Sequence, residues 1–379
     1  MANIRKSSPS FVEEVRNELQ GTLPSGNNSS IGSDLVGWNG FKKILDEGVA
    51  GGRLFTNDIV TTYSLAYTTS IAAYFGGVLA PNGDIHFVPN SANRGQKISA
   101  AGVVSTYTLP YTASSAYIGG VLAPNGDIHF VPAQANRGQK ISPSGVVSTY
   151  TLTYTNSGGA YNGGVLAPNG DIHFIPYNAN RGQKISPSGV VSTYTLSYTT
   201  TTAYWGGVLA PNGDIHFVPY SANRGQKISA AGVVSTYSLA HTSPAAYFGG
   251  VLSPNGDIHF IPDQSSVGQK IDINGTVSTY SLVYTASGLT SGGVLAPNGD
   301  IHFIPYQRTV GQKISAAGVV STYSLAYTSS FASAGGILAP NGDIYFVPYF
   351  GAAVGQVIRN NSGVTFPRAI CLHPYLNKY

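Results

Sequence analysis

One fourteen-residue sentence, GGVLAPNGDIHFVP at 76–89, returns with small changes at 119–132, 163–176, 206–219, 249–262, 292–305 and 335–348. The aspartate after Asn-Gly marks the copies: Asp84, Asp127, Asp171, Asp214, Asp257, Asp300 and Asp343, spaced by 43 or 44 residues. A chain of 379 residues could otherwise hold two or three domains, but near-copies at a fixed interval must be read as one assembly. A period near 43 made of short strands is the mark of propeller blades. Gly-Gly pairs, prolines and runs of β-branched residues exclude helical repeats of that length.

Each unit reads as four strands. Strand A is GGVLA, and Ala-Pro-Asn-Gly then makes a tight turn, with Pro presetting the first central angle and Gly supplying a positive φ. Strand B is DIHFVP, with Ile85 and Phe87 on one face and His86 on the other. A loop of varied sequence leads to strand C, GQKIS; a second turn, SAAG or SPSG, leads to strand D, VVSTYTL. A single four-stranded unit cannot bury both faces, whereas a closed ring of them can. Residues 52–68, GRLFTNDIVTTYSLAYT, match strands C and D, while the last copy supplies A and B and then diverges. Joining the two ends gives seven blades and removes the open edge. The expectation is an all-β, seven-bladed β-propeller of four-stranded antiparallel blades over 51–365, with a C-terminal tail at 366–379. The period and strand count resemble those of the WD40 and kelch propellers. The signature Gly-His and Trp-Asp dipeptides of WD40 are missing, and Tyr-x-Gly-Gly at 74–77 matches kelch only loosely. The resemblance therefore implies a fold and no functional residues.

Residues 1–50 are different in kind. They hold 11 charged residues, although the whole chain is only 9% charged, about a third of the usual share. Ser10-Phe-Val-Glu13 is a capping box, Phe11, Val12, Val15 and Leu19 fall on one helical face, and Gly21 ends the helix. GTLPSGNNSSIGS at 21–33 reads as a linker, and a second short helix is expected over 40–47. This segment is expected to anchor the ring or to oligomerise it. A net charge of +4 leaves no nucleic-acid footprint. One cysteine, Cys371, allows no disulfide within the chain. The N-terminus is acidic and amphipathic where a signal peptide would be apolar, and no stretch approaches the roughly 18 apolar residues of a spanning helix.

Comparison among the copies shows where change is tolerated. The A–B turn hardly varies and the C–D turn varies little. The D-to-A connection (TTSIAAYF, TASSAYI, TNSGGAYN, TTTTAYW, TSPAAYF, TASGLTS, TSSFASA) and the B-to-C connection vary widely. In an up-and-down blade these two emerge on one side of the disc, so one face varies and the other is uniform. Such a face is either unconstrained or diversified for recognition. Its chemistry suits sugars: Tyr74, Tyr117, Tyr161, Tyr204 and Tyr247 precede Phe75, Ile118, Asn162, Trp205 and Phe248. The first four copies add Asn-Arg pairs ending in Arg94, Arg137, Arg181 and Arg224, a basic arc suited to an acidic glycan. These arginines can also be read as solvated loop residues packed on a neighbouring blade.

Asp-Ile-His occurs six times, giving His86, His129, His173, His216, His259 and His302, and the series ends with Asp343-Ile-Tyr345. An acid–base or metal role would need one differentiated site. The repetition points instead to structure: Asp accepting turn N–H groups and His bridging to Ser105 or Thr106 of an adjacent strand. No nucleophile elbow, phosphate loop or Cys/His metal spacing occurs, so no enzymatic activity, cofactor or metal is expected. The layout resembles phage fibre proteins, which implies a virion appendage: a fibre, spike or decoration protein docked on virion proteins through residues 1–50 and meeting a cell-surface glycan. A free microbial lectin and a protein–protein scaffold are the alternatives.

Overall fold

The computed structural model describes residues 58–68, 72–285 and 290–359. The expected N-terminal helices, the linker and the C-terminal tail lie outside them. The described residues form 28 strands in seven four-stranded antiparallel sheets. β1 (Ile59–Ser64) comes first, and blade 1 follows as β2 (Tyr74–Leu79), β3 (Ile85–Pro89), β4 (Arg94–Ile98) and β5 (Val104–Thr108). Blades 2 to 6 repeat this order over 117–150, 161–194, 204–237, 247–281 and 290–324. Blade 7 is β26 (Ser333–Leu338), β27 (Ile344–Pro348) and β28 (Val354–Arg359), completed by β1 as its outer strand. Among the described residues, the N-terminal segment thus supplies strand D. Strand C of the last blade is β28, whose Gly-Gln pair still fits the pattern although its continuation diverges.

The apolar positions of strands A to C build the core. Tyr74, Phe87 and their equivalents through blade 5 are fully buried, and Ile85 and Ile98 are 2% exposed. Glycine decides how closely blades approach. A Cβ on Gly120 would sit 2.8 Å from Val78 Cγ2 of the preceding blade, so that valine occupies the place of the missing side chain. The same relation joins Gly77 of blade 1 to Ile337 of blade 7, which closes the ring. Gly76 has φ 77° at the point where the β2–β3 register shifts. This bulge lets a strand at the ring's inner edge turn its side chains.

A second device recurs in all seven blades. The glutamine of strand C is 0–2% exposed, and its Oε1 accepts N–H groups from the connection entering its own blade. Gln96 takes Tyr67 N at 2.7 Å, Gln183 takes Thr153 N at 3.0 Å and Tyr154 N at 2.8 Å, and Gln356 takes Tyr327 N at 2.9 Å. Each connection is thereby fastened to the next sheet through backbone groups that any loop sequence retains.

Candidate recognition face

The variable loops share one side of the disc and are knitted together. Ala116 N donates to Asn90 O at 2.7 Å, Ala160 N to Ala133 O at 2.7 Å, Ala203 N to Tyr177 O at 2.8 Å and Ala246 N to Tyr220 O at 2.7 Å. Each bond ties the D–A connection of one blade to the B–C loop of the blade before. Sequence can change here because main-chain groups carry the structure.

Tyr74, Tyr117, Tyr161, Tyr204 and Tyr247 do not open onto this face. All five are 0% exposed, so no ligand can stack on them from solvent. The reason lies in the loop geometry. Tyr74 Oη donates to Arg94 O at 3.0 Å, Tyr117 to Arg137 O at 3.0 Å, Tyr161 to Arg181 O at 3.1 Å and Tyr204 to Arg224 O at 3.2 Å. Burial raises these hydroxyl pKa values, that of Tyr247 to about 12. The tyrosines hold the backbone that carries the arginines.

The residues after them converge on the axis. Trp205 and Phe248 lie with ring centroids 4.0 Å apart, and Phe75, from the far side of the ring, is 5.8 Å from Trp205 and 5.7 Å from Phe248. Ile118, Tyr220 and Tyr349 pack against them. Phe75 and Phe248 are 7% and 9% exposed, and Trp205 is half-buried. Asn162 shares the axial position, at 1% exposure, and its Oδ1 has no partner among the described residues. These rings form a plug across the ring's centre.

The arginines are the exposed members of the set: Arg94, Arg137, Arg181 and Arg224 all reach solvent, each beside an exposed asparagine. Three are braced on aromatic faces, with Arg137 Cζ 5.3 Å from the Tyr111 ring, Arg181 5.2 Å from Tyr154 and Arg224 5.0 Å from Tyr198. A guanidinium stacked in this way keeps its edge donors turned outward. Blade 6 departs from the pattern. Arg308, two positions earlier in its loop, covers Tyr284 at 5.0 Å but is only 4% exposed, and burial lowers its pKa to about 10.

On the uniform face the repeated aspartates and histidines form ion pairs and aromatic contacts. Asp84 accepts from Lys97 Nζ at 2.6 Å and from Ala100 N at 3.2 Å. The Lys–Asp pair repeats for Asp127, Asp171, Asp214 and Asp257, and Arg359 serves Asp343 at 2.8 Å. Burial opposes ionisation of Asp84 and Asp214, but the lysine hydrogen bond and charge and a turn N–H hold both carboxyls below their usual range. Where the turn residue is Pro143 or Pro187 that N–H is missing, and Asn125 or Asn169 donates to the aspartate instead. The histidine partner is a tyrosine rather than Ser105 or Thr106: His86 Nδ1 lies 3.4 Å from Tyr107 Oη, and His129, His173 and His216 repeat the contact at 3.2–3.3 Å. Tyr107 reaches across because it lies over Gly95, where any Cβ would collide with the ring. Among the described residues, no cluster of three or more His, Cys, Asp or Glu could hold a metal.

Solved structures share the ring. A streptogramin B lyase aligns with a TM-score of 0.70 and 20% identity over 82% of this chain and 100% of its own. A catalytically inactive virginiamycin B lyase from Staphylococcus aureus with quinupristin aligns at 0.69 and 18% identity, over 80% and 99%. The extracellular domain of a one-component system from B. thetaiotaomicron aligns at 0.59 and 10%, over 80% of this chain and 40% of that one. No protein-family model and no curated protein matches the sequence.

At such identities the likeness shows the fold alone: seven blades of four antiparallel strands. The finer resemblance to WD40 or kelch rings is not carried further. One expectation is overturned. Repetition of Asp and His and the lack of catalytic motifs point away from an enzyme, yet this architecture carries a lyase. Identical blades do not prevent a differentiated site, because the axial positions differ from blade to blade: Phe75, Ile118, Asn162, Trp205, Phe248, Ser291 and Ala334. The tyrosine braces and the buried Arg308 escaped sequence reasoning. The recurrent Tyr-Thr just after strand D was the available signal for the braces.

Proposed function

We propose that the ring is a recognition appendage, carried on a particle through residues 1–50 and reading an acidic glycan with the arginine arc of its variable face. One observation carries this reading: sequence change is concentrated on one face, and on that face three of four consecutive exposed arginines lie over tyrosine rings. Pre-positioned guanidinium groups suit carboxylate or sulfate in bidentate geometry, and a rigid ring spaces them for a multivalent polymer. The separate charged segment at 1–50 supports attachment, and the phage-fibre layout supports a virion as the particle. The aromatic plug fits this reading as the rigid floor of the face.

A glycan array with the full chain tests it. Binding is expected to concentrate on sulfated or uronic-acid glycans. The triple variant Arg137→Gln, Arg181→Gln, Arg224→Gln should lose at least ~10-fold in affinity, on the scale of about 1–3 kcal/mol for charge-assisted hydrogen bonds. A neutral-glycan profile, or a triple variant that binds as the parent does, would reject the arc as the site. Chromatography of the bound glycan after incubation separates binding from turnover. Loss of particle association on deleting residues 1–50, with glycan binding intact, is the expected result for the tether.

A further inference from the structure

On the uniform face, clefts open between neighbouring blades. Between blades 1 and 2, Asp84, His86 and Lys97 face Ser142–Gly145 across about 140 Å³. The equivalent openings after blades 2 and 3 measure about 510 and 90 Å³, enough for a few waters or one small polar group. A Cβ built on Gly145, Gly189, Gly232, Gly275 or Gly318 meets nothing within 4 Å, so each of these turns leaves the space beside its glycine open.

The sixth cleft, between blades 6 and 7, holds a carboxylate. Val60 pairs with Ile358 as Val104 pairs with Ile98, which puts Asp58 where the other turns have glycine. Its carboxylate crosses to blade 6: Oδ2 lies 2.6 Å from Lys313 Nζ, and Oδ1 lies 3.7 Å from His302 Nε2. Lys313 keeps Asp300 as a second partner at 3.1 Å. Lys313 is consequently 17% exposed, against 33–35% for Lys97, Lys140, Lys184, Lys227 and Lys270. The chain thus fills one of six like clefts with a carboxylate of its own.

We infer that the five clefts between blades 1 and 6 are carboxylate-binding sites, each taking the anion against the lysine Nζ and the histidine Nε2 as Asp58 does in the sixth. The lysine has three donors and spends one on its aspartate. In blades 1 to 4 a tyrosine contact engages histidine Nδ1, so Nε2 is the nitrogen that meets the ligand. Each lysine is already neutralised by its aspartate, so binding falls at millimolar concentrations and gains strength through repetition around the ring. A sugar acid and a peptide's terminal carboxylate present the same group. These clefts lie opposite the arginine arc, so this inference and the glycan reading stand or fall separately.

Equilibrium dialysis of labelled acetate against the full chain, at constant ionic strength in chloride, provides the test. The expected result is saturable binding of about five acetates per chain. Gly189→Asp, which supplies an internal carboxylate with a residue type tolerant of positive φ, should remove one site. Asp58→Gly should add one, and its lowered melting temperature should be raised by acetate more than the parent's is. N-acetylglycine and glucuronate should compete, and whichever does so at lower concentration names the source; their amides should not. Absence of saturable binding, a stoichiometry unchanged in Gly189→Asp, or equal competition by the amides would overturn the inference. Gly189→Asp decides the matter even if Asp58→Gly does not fold.

Discussion

At the scale of single residues, the repeated polar groups stabilise the ring conditionally. Burial lowers the pKa of His86, His129, His173, His216 and His302 to about 4, so each is neutral in the folded ring at neutral pH. An unfolded histidine titrates near 6.5. Between about 4 and 6.5 the unfolded chain therefore binds more protons, and stability must rise with pH across that window and level off above it. The aspartates act in the same direction at lower pH, since Asp84 and Asp214 are depressed and lose their contribution as they protonate. Circular dichroism at stepped pH should show cooperative unfolding on acidification through this window. His173→Tyr, which copies what blade 7 does with Tyr345, should move the midpoint to lower pH; a shift to higher pH would contradict the burial account. Gln183 makes a different demand. Gln183→Leu keeps the volume but strands the N–H groups of Thr153 and Tyr154. Chemical denaturation should record a loss of about 2–6 kcal/mol, at 1–3 kcal/mol for each part-buried donor left unpaired.

At the scale of the strand, what could be read from sequence depended on alternation. Strand B keeps it: Ile85 and Phe87 are buried between sheets while His86 meets Tyr107. Strand A breaks it. The positive φ at Gly76 and the register shift before Gly77 interrupt the pairing beside Tyr74 and Phe75, which lie in different environments, one beneath a loop and one on the axis. Read as part of the variable connection, both fall on the recognition face; β2 in fact begins at Tyr74, and strand alternation sends the two side chains to opposite sides. The arginines were legible as an arc because their exposure follows from the turn, whereas the bracing tyrosines belong to a neighbouring connection that sequence proximity does not bring near. The Lys–Asp pair was missed for a similar reason. It crosses from strand B to strand C, thirteen residues apart, and only the antiparallel register aligns the two.

At the scale of the molecule, the period alone carried the ring, because a repeat whose sheets cannot bury both faces must find a neighbour on each side. What the period could not settle was how the ends share the last blade. Three strands come from the C-terminal end and one from the N-terminal end, so among the described residues β1 is the strand that completes the last blade. Its six residues pair with β28 from Ile59↔Arg359 to Ser64↔Val354. Tyr63 Oη donates to Phe346 O at 2.7 Å, and Asp58 and Arg359 add polar links across the joint. Removing residues 52–68 would therefore expose the edge of β28 and uncover Ile344, Val357 and Ile358, which are buried in the closed ring. An unpaired, largely apolar edge seeks another strand, and a second open ring offers only the same unfilled edge. Light scattering of the deleted chain should show concentration-dependent association, with a lower melting temperature than the parent. A synthetic peptide covering 58–64 should restore the monomer, because it returns the strand that both open rings lack. A deleted chain that remains monomeric and melts as the parent does would mean that the joint adds nothing to closure. Blade-to-blade packing through Gly77 and Ile337 would then be sufficient to hold the ring shut.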